Sequence, residues 1–260
     1  MKLKNLCLWL MLSMTISVNG YAKETAYRLS TFIKPSFQQI TLKVDPDSPT
    51  FSGETTITID VTKATDTIGF YQKDLNIQQA YLTSGDIRIP LTVTSHDYEI
   101  QHGKASQNIA AKGYKLHIVF DGKINTSSDG MYLSKFEGLN YVFTQFEDMY
   151  AFPSFDEPGF KIPYQVTVMS PEKHTVLSNT LVKKRTVKDG WQTVEFNKTK
   201  PMPTYLVALA VGELDSYDIP NLSVPGKIYT PKGQAQRTKF AAKHTAEILQ
   251  NLESYFGSAY

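Results

Sequence analysis

Residues 114–120 read YKLHIVF, and this stretch indicates the fold class of the chain. An apolar side chain stands at every second position, and the polar Lys115 and His117 fall between. The apolar members are Tyr114, Leu116, Ile118 and Phe120. Successive side chains of a β-strand point to opposite faces of the sheet, so the pattern predicts a half-buried strand. We expect His117 to lie on its solvent-exposed face.

The same alternation recurs on both sides of the chain's middle. QQITLKV at residues 38–44 and ETTITIDV at residues 54–61 each present one apolar face, and DPDSP, TSGD, HGKAS and VKDG supply turn residues. TYLVALAVGEL at residues 204–214 is apolar on both faces, which predicts a central strand from Tyr205 to Val211. The predicted fold class is all-β: a saddle-like antiparallel β-sandwich spanning residues 23–222.

The pattern changes in residues 223–260. GKIYTP predicts a short strand, and the segment from residue 234 to 256 has helical spacing with an apolar stripe. The stripe contains Phe240, Ile248, Leu252 and Phe256, with His244 beside it. One strand and one amphipathic helix cannot bury their own apolar surface, so we interpret this segment as the incomplete start of a second domain.

The first 22 residues have the pattern of a secretory signal peptide. Lys2 and Lys4 precede an apolar run from residue 6 to 18, and Gly20 and Ala22 follow as small residues suited to cleavage. The alternative is an uncleaved membrane anchor. We expect an exported protein, periplasmic or secreted, with no stable membrane span after cleavage. Cleavage would also remove Cys7, the chain's one cysteine, so no disulfide is expected.

Charge and histidine spacing exclude several function classes. The formal net charge of +2 gives no basic footprint for nucleic acid. The five histidines form neither HExxH nor another close-spaced ligand pair, and the sequence contains no GxSxG nucleophile motif. They are His96, His102, His117, His174 and His244. We therefore expect no metal site and no catalytic residue in this chain.

An acidic stretch, TQFEDMYAFPSFDEPGFK at residues 144–161, stands apart from the strand patterns. One interpretation is a turn-rich loop, with Asp156 to Gly159 as the turn and the phenylalanines filling a core. In the other, Gln145 and Glu147 lie two residues apart on a strand and share a face, where an amide and a carboxylate could hold a ligand ammonium group.

Longer stretches carry a resemblance to a known family. Residues 130–168, GMYLSKFEGLNYVFTQFEDMYAFPSFDEPGFKIPYQVTV, resemble the signature region of the aminopeptidase N family, the gluzincin zinc aminopeptidases with a thermolysin-like catalytic domain. PMPTYLVALAVGELD, LSNT and LQNLESYFGSAY are similar to further segments of that family, in the same order. The resemblance implies that Gln145 and Glu147 line the substrate pocket, where Glu147 helps hold the free α-amino group of a peptide. It leaves Asp156 and Glu157 as structural residues.

The chain departs from the family pattern at two places. It lacks GxMEN and HExxH, which in the family supply the zinc, the general base and substrate-backbone contacts, so this chain alone is expected to be inactive. A few residues ending in an Arg-Arg pair also appear in the family between Glu147 and Ala151 and are absent here. The implied partners are peptide N-termini and the missing catalytic domain. The alternatives are a non-catalytic peptide- or protein-binding β-sandwich module and an inactive remnant.

Overall fold

The computed structural model describes residues 28–145 and 150–260, which form sixteen strands and one α-helix within those ranges. Two short 3₁₀ helices, Thr204–Leu206 and Ala235–Thr238, lie near the C-terminal end. The strands are β1 (Ile33–Lys43), β2 (Thr50–Val61), β3 (Thr65–Tyr71), β4 (Asn76–Ser84), β5 (Ile87–Ser95), β6 (Ile100–Ile109), β7 (Lys112–Lys123), β8 (Gly130–Phe136), β9 (Leu139–Gln145), β10 (Tyr164–Pro171), β11 (Thr175–Ser178), β12 (Val182–Lys188), β13 (Trp191–Phe196), β14 (Leu209–Gly212), β15 (Leu214–Asp218) and β16 (Lys227–Pro231); the helix is α1 (Lys239–Phe256).

The strands form a large sheet, a smaller sheet and a two-stranded ribbon. The large sheet has ten strands in the order β12-β13-β10-β1-β2-β7-β4-β5-β6-β3, the smaller has the order β11-β14-β9-β8, and β15 pairs with β16. β2 runs antiparallel to β1 on one side and to β7 on the other, with Ile57 opposite Leu116. The predicted all-β class is confirmed.

The predicted alternation is reproduced residue by residue in the central strands. The apolar side chains at every second position of β1, β2 and β7 are buried, while Lys43 and Lys115 are exposed. One hydrophobic core joins both larger sheets: Ile57 and Leu116 of the large sheet belong to the same cluster as Val142 and Val211 of the smaller sheet. Packing of two sheets over a shared core is the arrangement that half-buried antiparallel strands require.

One pair of strands in the large sheet is parallel. β1 runs alongside β10 with Gln38 opposite Tyr164 and Lys43 opposite Met169. The main chain continues this pairing past the end of β1, where the Val44 amide donates to the Met169 carbonyl at 2.9 Å. The turns that follow these two strands, at residues 45–49 and 172–174, therefore lie at the same edge of the sheet.

The two outer strands of the large sheet differ in how their free edges are protected. β12, with the sequence VKKRTVK, is exposed at every position. β3 lies at the opposite edge, where its last residue, Tyr71, exchanges two main-chain hydrogen bonds with Ser154 of 2.8 and 3.1 Å. The segment after residue 150 thus covers the end of β3.

Three local predictions were wrong. HGKAS is not a turn: it lies within β6, where Gly103 packs against Leu91 of β5, and residues 96–99 make the turn. The predicted strand from Tyr205 begins only at Leu209. His117 is half-buried rather than solvent-exposed, since its ring stacks on Tyr81 at 4.7 Å and its two nitrogens contact threonine hydroxyls.

Side-chain hydrogen bonds explain the late start of β14. Asn179 donates to the Leu206 carbonyl at 2.7 Å and accepts from the Ala208 amide at 2.8 Å. Ser178 donates to the Ala208 carbonyl at 2.9 Å. These bonds satisfy main-chain groups that a strand would pair in its ladder, so the preceding residues form a 3₁₀ turn instead.

Helix α1 of the C-terminal segment buries little of its apolar surface. Ala242 is the buried residue of α1, whereas Phe240, Ile248, Leu252 and Phe256 are between 49% and 77% exposed. The predicted strand and helix are confirmed, and the apolar stripe lies open. Of the helices in the two described ranges, none is both long and apolar enough to span a membrane.

The packing of β2 against its neighbouring strands can be tested at Gly53. A Cβ atom there would lie 2.7 Å from the Thr41 carbonyl oxygen and 2.8 Å from the Phe120 ring. Because the nearest obstacle is main chain, we expect Gly53→Ala to lower the free energy of unfolding by about 1–3 kcal/mol. Denaturant unfolding followed by circular dichroism measures this loss.

Gly113 of β7 provides the matched control. A Cβ atom there would meet only the Ile59 carbonyl oxygen, at 4.0 Å. Gly113→Ala should change the free energy of unfolding by no more than about 0.5 kcal/mol. Equal losses in the two variants would contradict the assigned packing at Gly53.

Candidate functional site

Strand β9 carries the predicted substrate-facing segment to the end of the smaller sheet. Its last residue, Gln145, is exposed and lies opposite Gly130 of β8. Its neighbour Thr144 is fixed from the other side, because the Thr144 hydroxyl accepts a hydrogen bond of 2.8 Å from the Leu209 amide of β14. Gln145 therefore leaves the sheet from an anchored position.

Glu147, the other predicted substrate-binding residue, lies outside the described residues, as do residues 146, 148 and 149. The predicted shared face of Gln145 and Glu147 stays a prediction. The two ends of the interval are defined: Gln145 on β9 precedes it, and Tyr150 follows it.

Lys73 contacts Tyr150, the residue that follows this interval. The Lys73 ammonium lies 4.9 Å from the centre of the Tyr150 ring and 3.4 Å from a Glu99 carboxylate oxygen. Hydrogen bonding to Tyr150, followed by that to Glu99, raises the pKa of Lys73 above its ordinary value. Lys73 thus places a permanent positive charge next to the acidic stretch.

The segment from residue 151 to 155 is buried without interruption. Phe152 and Phe155 are 1% and 2% exposed and belong to the main core. The buried Gln38 amide donates to the Pro153 carbonyl at 2.9 Å and to the Thr55 hydroxyl at 2.8 Å. These contacts confirm that Phe152 and Phe155 fill a core, and they fix the segment to β1 and β2.

Glu157 accepts hydrogen bonds from two parts of the chain that precede it. Its Oε1 accepts from the Leu29 amide at 2.6 Å and from the Tyr71 hydroxyl at 3.3 Å. Burial, followed by the Glu157 charge, raises the pKa of the Tyr71 hydroxyl. The contacts of Glu157 support the structural role expected for it.

Comparison with known proteins identifies the family to which this chain belongs. Residues 34–206 match the Peptidase M1 N-terminal domain. The chain belongs to this family. The resemblance inferred from its motifs is therefore confirmed, and the β-structure described above is that of a Peptidase M1 N-terminal domain.

Similar proteins include aminopeptidases of yeast, cattle and a bacterium. Aminopeptidase 2, mitochondrial, of Saccharomyces cerevisiae is 32% identical over 234 residues, covering 84% of this chain and 24% of the relative. Glutamyl aminopeptidase of Bos taurus is 29% identical, covering 90% and 26%, and aminopeptidase N of Acetobacter pasteurianus is 28% identical, covering 92% and 69%. The chain thus spans about a quarter of the length of the first two relatives.

The M1 N-terminal domain also contains a cluster that sequence spacing did not predict. Ligand atoms of Asp45, Asp47 and His174 all lie within 4.8 Å of one another. His174 is 5% exposed, and neither ring nitrogen has a hydrogen-bond partner in the described part of the chain. Burial, followed by the Lys173 charge, lowers the pKa of His174. His174 is far in sequence from the two aspartates, and only the parallel pairing of β1 with β10 could have indicated that it lies beside them.

The role of Glu157 in this M1 N-terminal domain is testable. Glu157→Ala removes the acceptor of the Leu29 amide and the Tyr71 hydroxyl, so we expect the free energy of unfolding to fall by about 1–3 kcal/mol. Because the Glu157 charge contributes to the raised pKa of Tyr71, that pKa should also fall in the variant. Denaturant unfolding and tyrosine-selective NMR titration measure the two effects.

Glu172→Ala serves as the comparison, since Glu172 is an exposed carboxylate on another turn. Its free energy of unfolding should stay within about 0.5 kcal/mol of the unmodified chain. A Glu157→Ala variant that matched Glu172→Ala in both measurements would show that the Glu157 contacts contribute nothing.

Proposed function

We propose that this chain forms the N-terminal β-domain of an exported zinc metallo-aminopeptidase, a hydrolase that removes N-terminal amino acids from peptides. The observation that carries the proposal is the match of residues 34–206 to the Peptidase M1 N-terminal domain. The matching relatives from yeast, cattle and Acetobacter are all named aminopeptidases, which supports the same activity for the enzyme that contains this domain.

Within that enzyme, Gln145 and Glu147 form a wall of the substrate pocket. Gln145 emerges from an anchored strand end, and the chain is fixed again at Tyr150 by Lys73 and at residues 151–155 by burial. The residues that border the interval containing Glu147 are thus held in place on both sides. A carboxylate held there would pair with the α-ammonium group of a peptide and fix the scissile bond one residue away.

The catalytic zinc implied by the resemblance does not fit this chain's own motifs, because the sequence contains no HExxH. We assign the zinc and the general base to the catalytic domain, whose start is residues 223–260. The exposed stripe of α1 would pack on the remainder of that domain. Residues 1–22 act as the signal peptide, which places the enzyme in the periplasm or outside the cell.

Binding of small amines tests the pocket wall in the chain as it stands. Titration of isotope-labelled protein with leucinamide should shift NMR signals of Gln145 and Tyr150, because the ligand carries a free α-ammonium group. N-acetyl-leucinamide, which lacks this charge, should cause no shift. Glu147→Gln should abolish the response, and Glu54→Gln, an exposed carboxylate on β2, should preserve it.

Equal responses to leucinamide and its acetylated form, or a full response in Glu147→Gln, would contradict the assigned role of Glu147. Hydrolysis of leucine anilide separates the further alternatives. The chain alone should show only background hydrolysis, whereas turnover that survives purification and disappears in Glu147→Gln would show that it is an enzyme by itself. A non-catalytic module would bind long peptides irrespective of their N-terminus, and a remnant would bind neither amide.

A further inference from the structure

Two turns meet at one edge of the large sheet because β1 and β10 run parallel. Asp45 and Asp47 lie in the turn after β1, and His174 lies between β10 and β11. Their ligand atoms, two carboxylate oxygens and an imidazole nitrogen, lie within 4.8 Å of one another. Exposed acidic residues often gather without a ligand, so proximity by itself decides nothing.

The imidazole of His174 is the observation that points to a ligand. It is 95% buried, as its 5% exposure shows, and neither nitrogen has a hydrogen-bond partner among residues 28–145 and 150–260. Buried polar atoms are almost always partnered, because water is lost to them and must be replaced. Beside two carboxylates, the partner that would satisfy an imidazole lone pair and both negative charges is a cation.

Neighbouring hydrogen bonds hold the two carboxylates and the main chain of His174. Asp45 accepts from the Asp47 amide at 3.0 Å, and Asp47 accepts from the Asn140 side chain at 3.0 Å. The main chain of His174 is held by Gln192, which donates to its carbonyl at 2.6 Å. Hydrogen bonds to ligating carboxylates, as at Asp45 and Asp47, are typical of metal sites.

We propose that Asp45, Asp47 and His174 bind a divalent transition-metal ion, with Zn²⁺ as the expected ion. Imidazole nitrogen favours Zn²⁺ over Mg²⁺ or Ca²⁺, and the two carboxylates match its charge. Three protein ligands would leave one position of a tetrahedral site open. Zinc bonds of about 2.0–2.2 Å require the ligand atoms to approach each other by about 1 Å, which the exposed Asp47 side chain allows.

Lys173 competes for the same carboxylate. Its ammonium lies 3.0 Å from Asp47 Oδ2, and roughly half of the side-chain surface of each partner is exposed. A metal ion must displace this ammonium, which is free to move into solvent. The proposed site departs from the expectation, drawn from histidine spacing, that the chain would hold no metal, and it involves none of the residues assigned to peptide binding.

Zinc titration of the full chain, with any histidine tag removed, tests the proposal. After dialysis against a chelator, calorimetry should show one Zn²⁺ per chain, and the thermal unfolding midpoint should rise with zinc concentration. Asp45→Asn, Asp47→Asn and His174→Gln should each weaken binding by about tenfold or more. Lys173→Met should tighten it by up to about fivefold, because zinc would no longer have to break the exposed ion pair between Lys173 and Asp47.

Two controls locate the bound ion. Asp86→Asn removes an exposed turn carboxylate elsewhere and should leave zinc affinity unchanged. His96 and His102 stack at 4.5 Å and are the imidazole pair that could bind zinc instead. If zinc binds at Asp45, Asp47 and His174, a variant with both of these histidines changed to glutamine should also bind zinc normally. If His174→Gln fails to fold, the two aspartate variants and Lys173→Met decide the matter.

Three results would overturn the proposal. The first is the absence of saturable zinc binding in the unmodified chain. The second is zinc binding that persists in Asp47→Asn and disappears with the His96 and His102 pair. The third is weaker zinc binding in Lys173→Met, because a carboxylate relieved of its competing ammonium must bind a cation more tightly.

Discussion

The parallel pairing of β1 with β10 is the contact on which the rest of the structure depends. It joins the strands from β1 to β7 with β10, β12 and β13 into one sheet. The chain between the two partners includes eight other strands, so this pairing closes a long loop and is costly to form early. The local antiparallel hairpins can form first. Burial of apolar side chains in the shared core then offsets the loop-closure entropy lost when β10 pairs with β1.

Hydrogen bonds from other parts of the chain hold the acidic stretch against the sheets. The Leu29 amide and the Tyr71 hydroxyl donate hydrogen bonds to the Glu157 carboxylate, and the Gln38 side chain donates one to the Pro153 carbonyl. The described hydrogen-bond donors to the Glu157 carboxylate are thus neutral groups. Lys73 beside Tyr150 supplies positive charge close to the place where the family has its Arg-Arg pair.

Sequence patterns predicted which residues face the core but not which strands meet. Alternation identified the buried Ile57 and Leu116 because burial of one face is a local property of a strand. It could not indicate that β10 would join β1 in parallel, nor that His174 would come to lie beside Asp45. Gly103 was misread as a turn residue, because a glycine required by close packing against Leu91 looks in sequence like one required by a turn.

The outer strands of the large sheet bear on how copies of the domain behave in a crowded solution. A free strand edge offers unpaired main-chain groups on which another chain can add and begin a fibril. β12 presents Lys184, Arg185 and Lys188, so two approaching copies repel each other before their edges can pair. At the other edge, the bridge between Tyr71 and Ser154 already occupies the end of β3. Strands from other copies are thus hindered from extending the ten-stranded sheet, because one edge is charged and the other is partly covered.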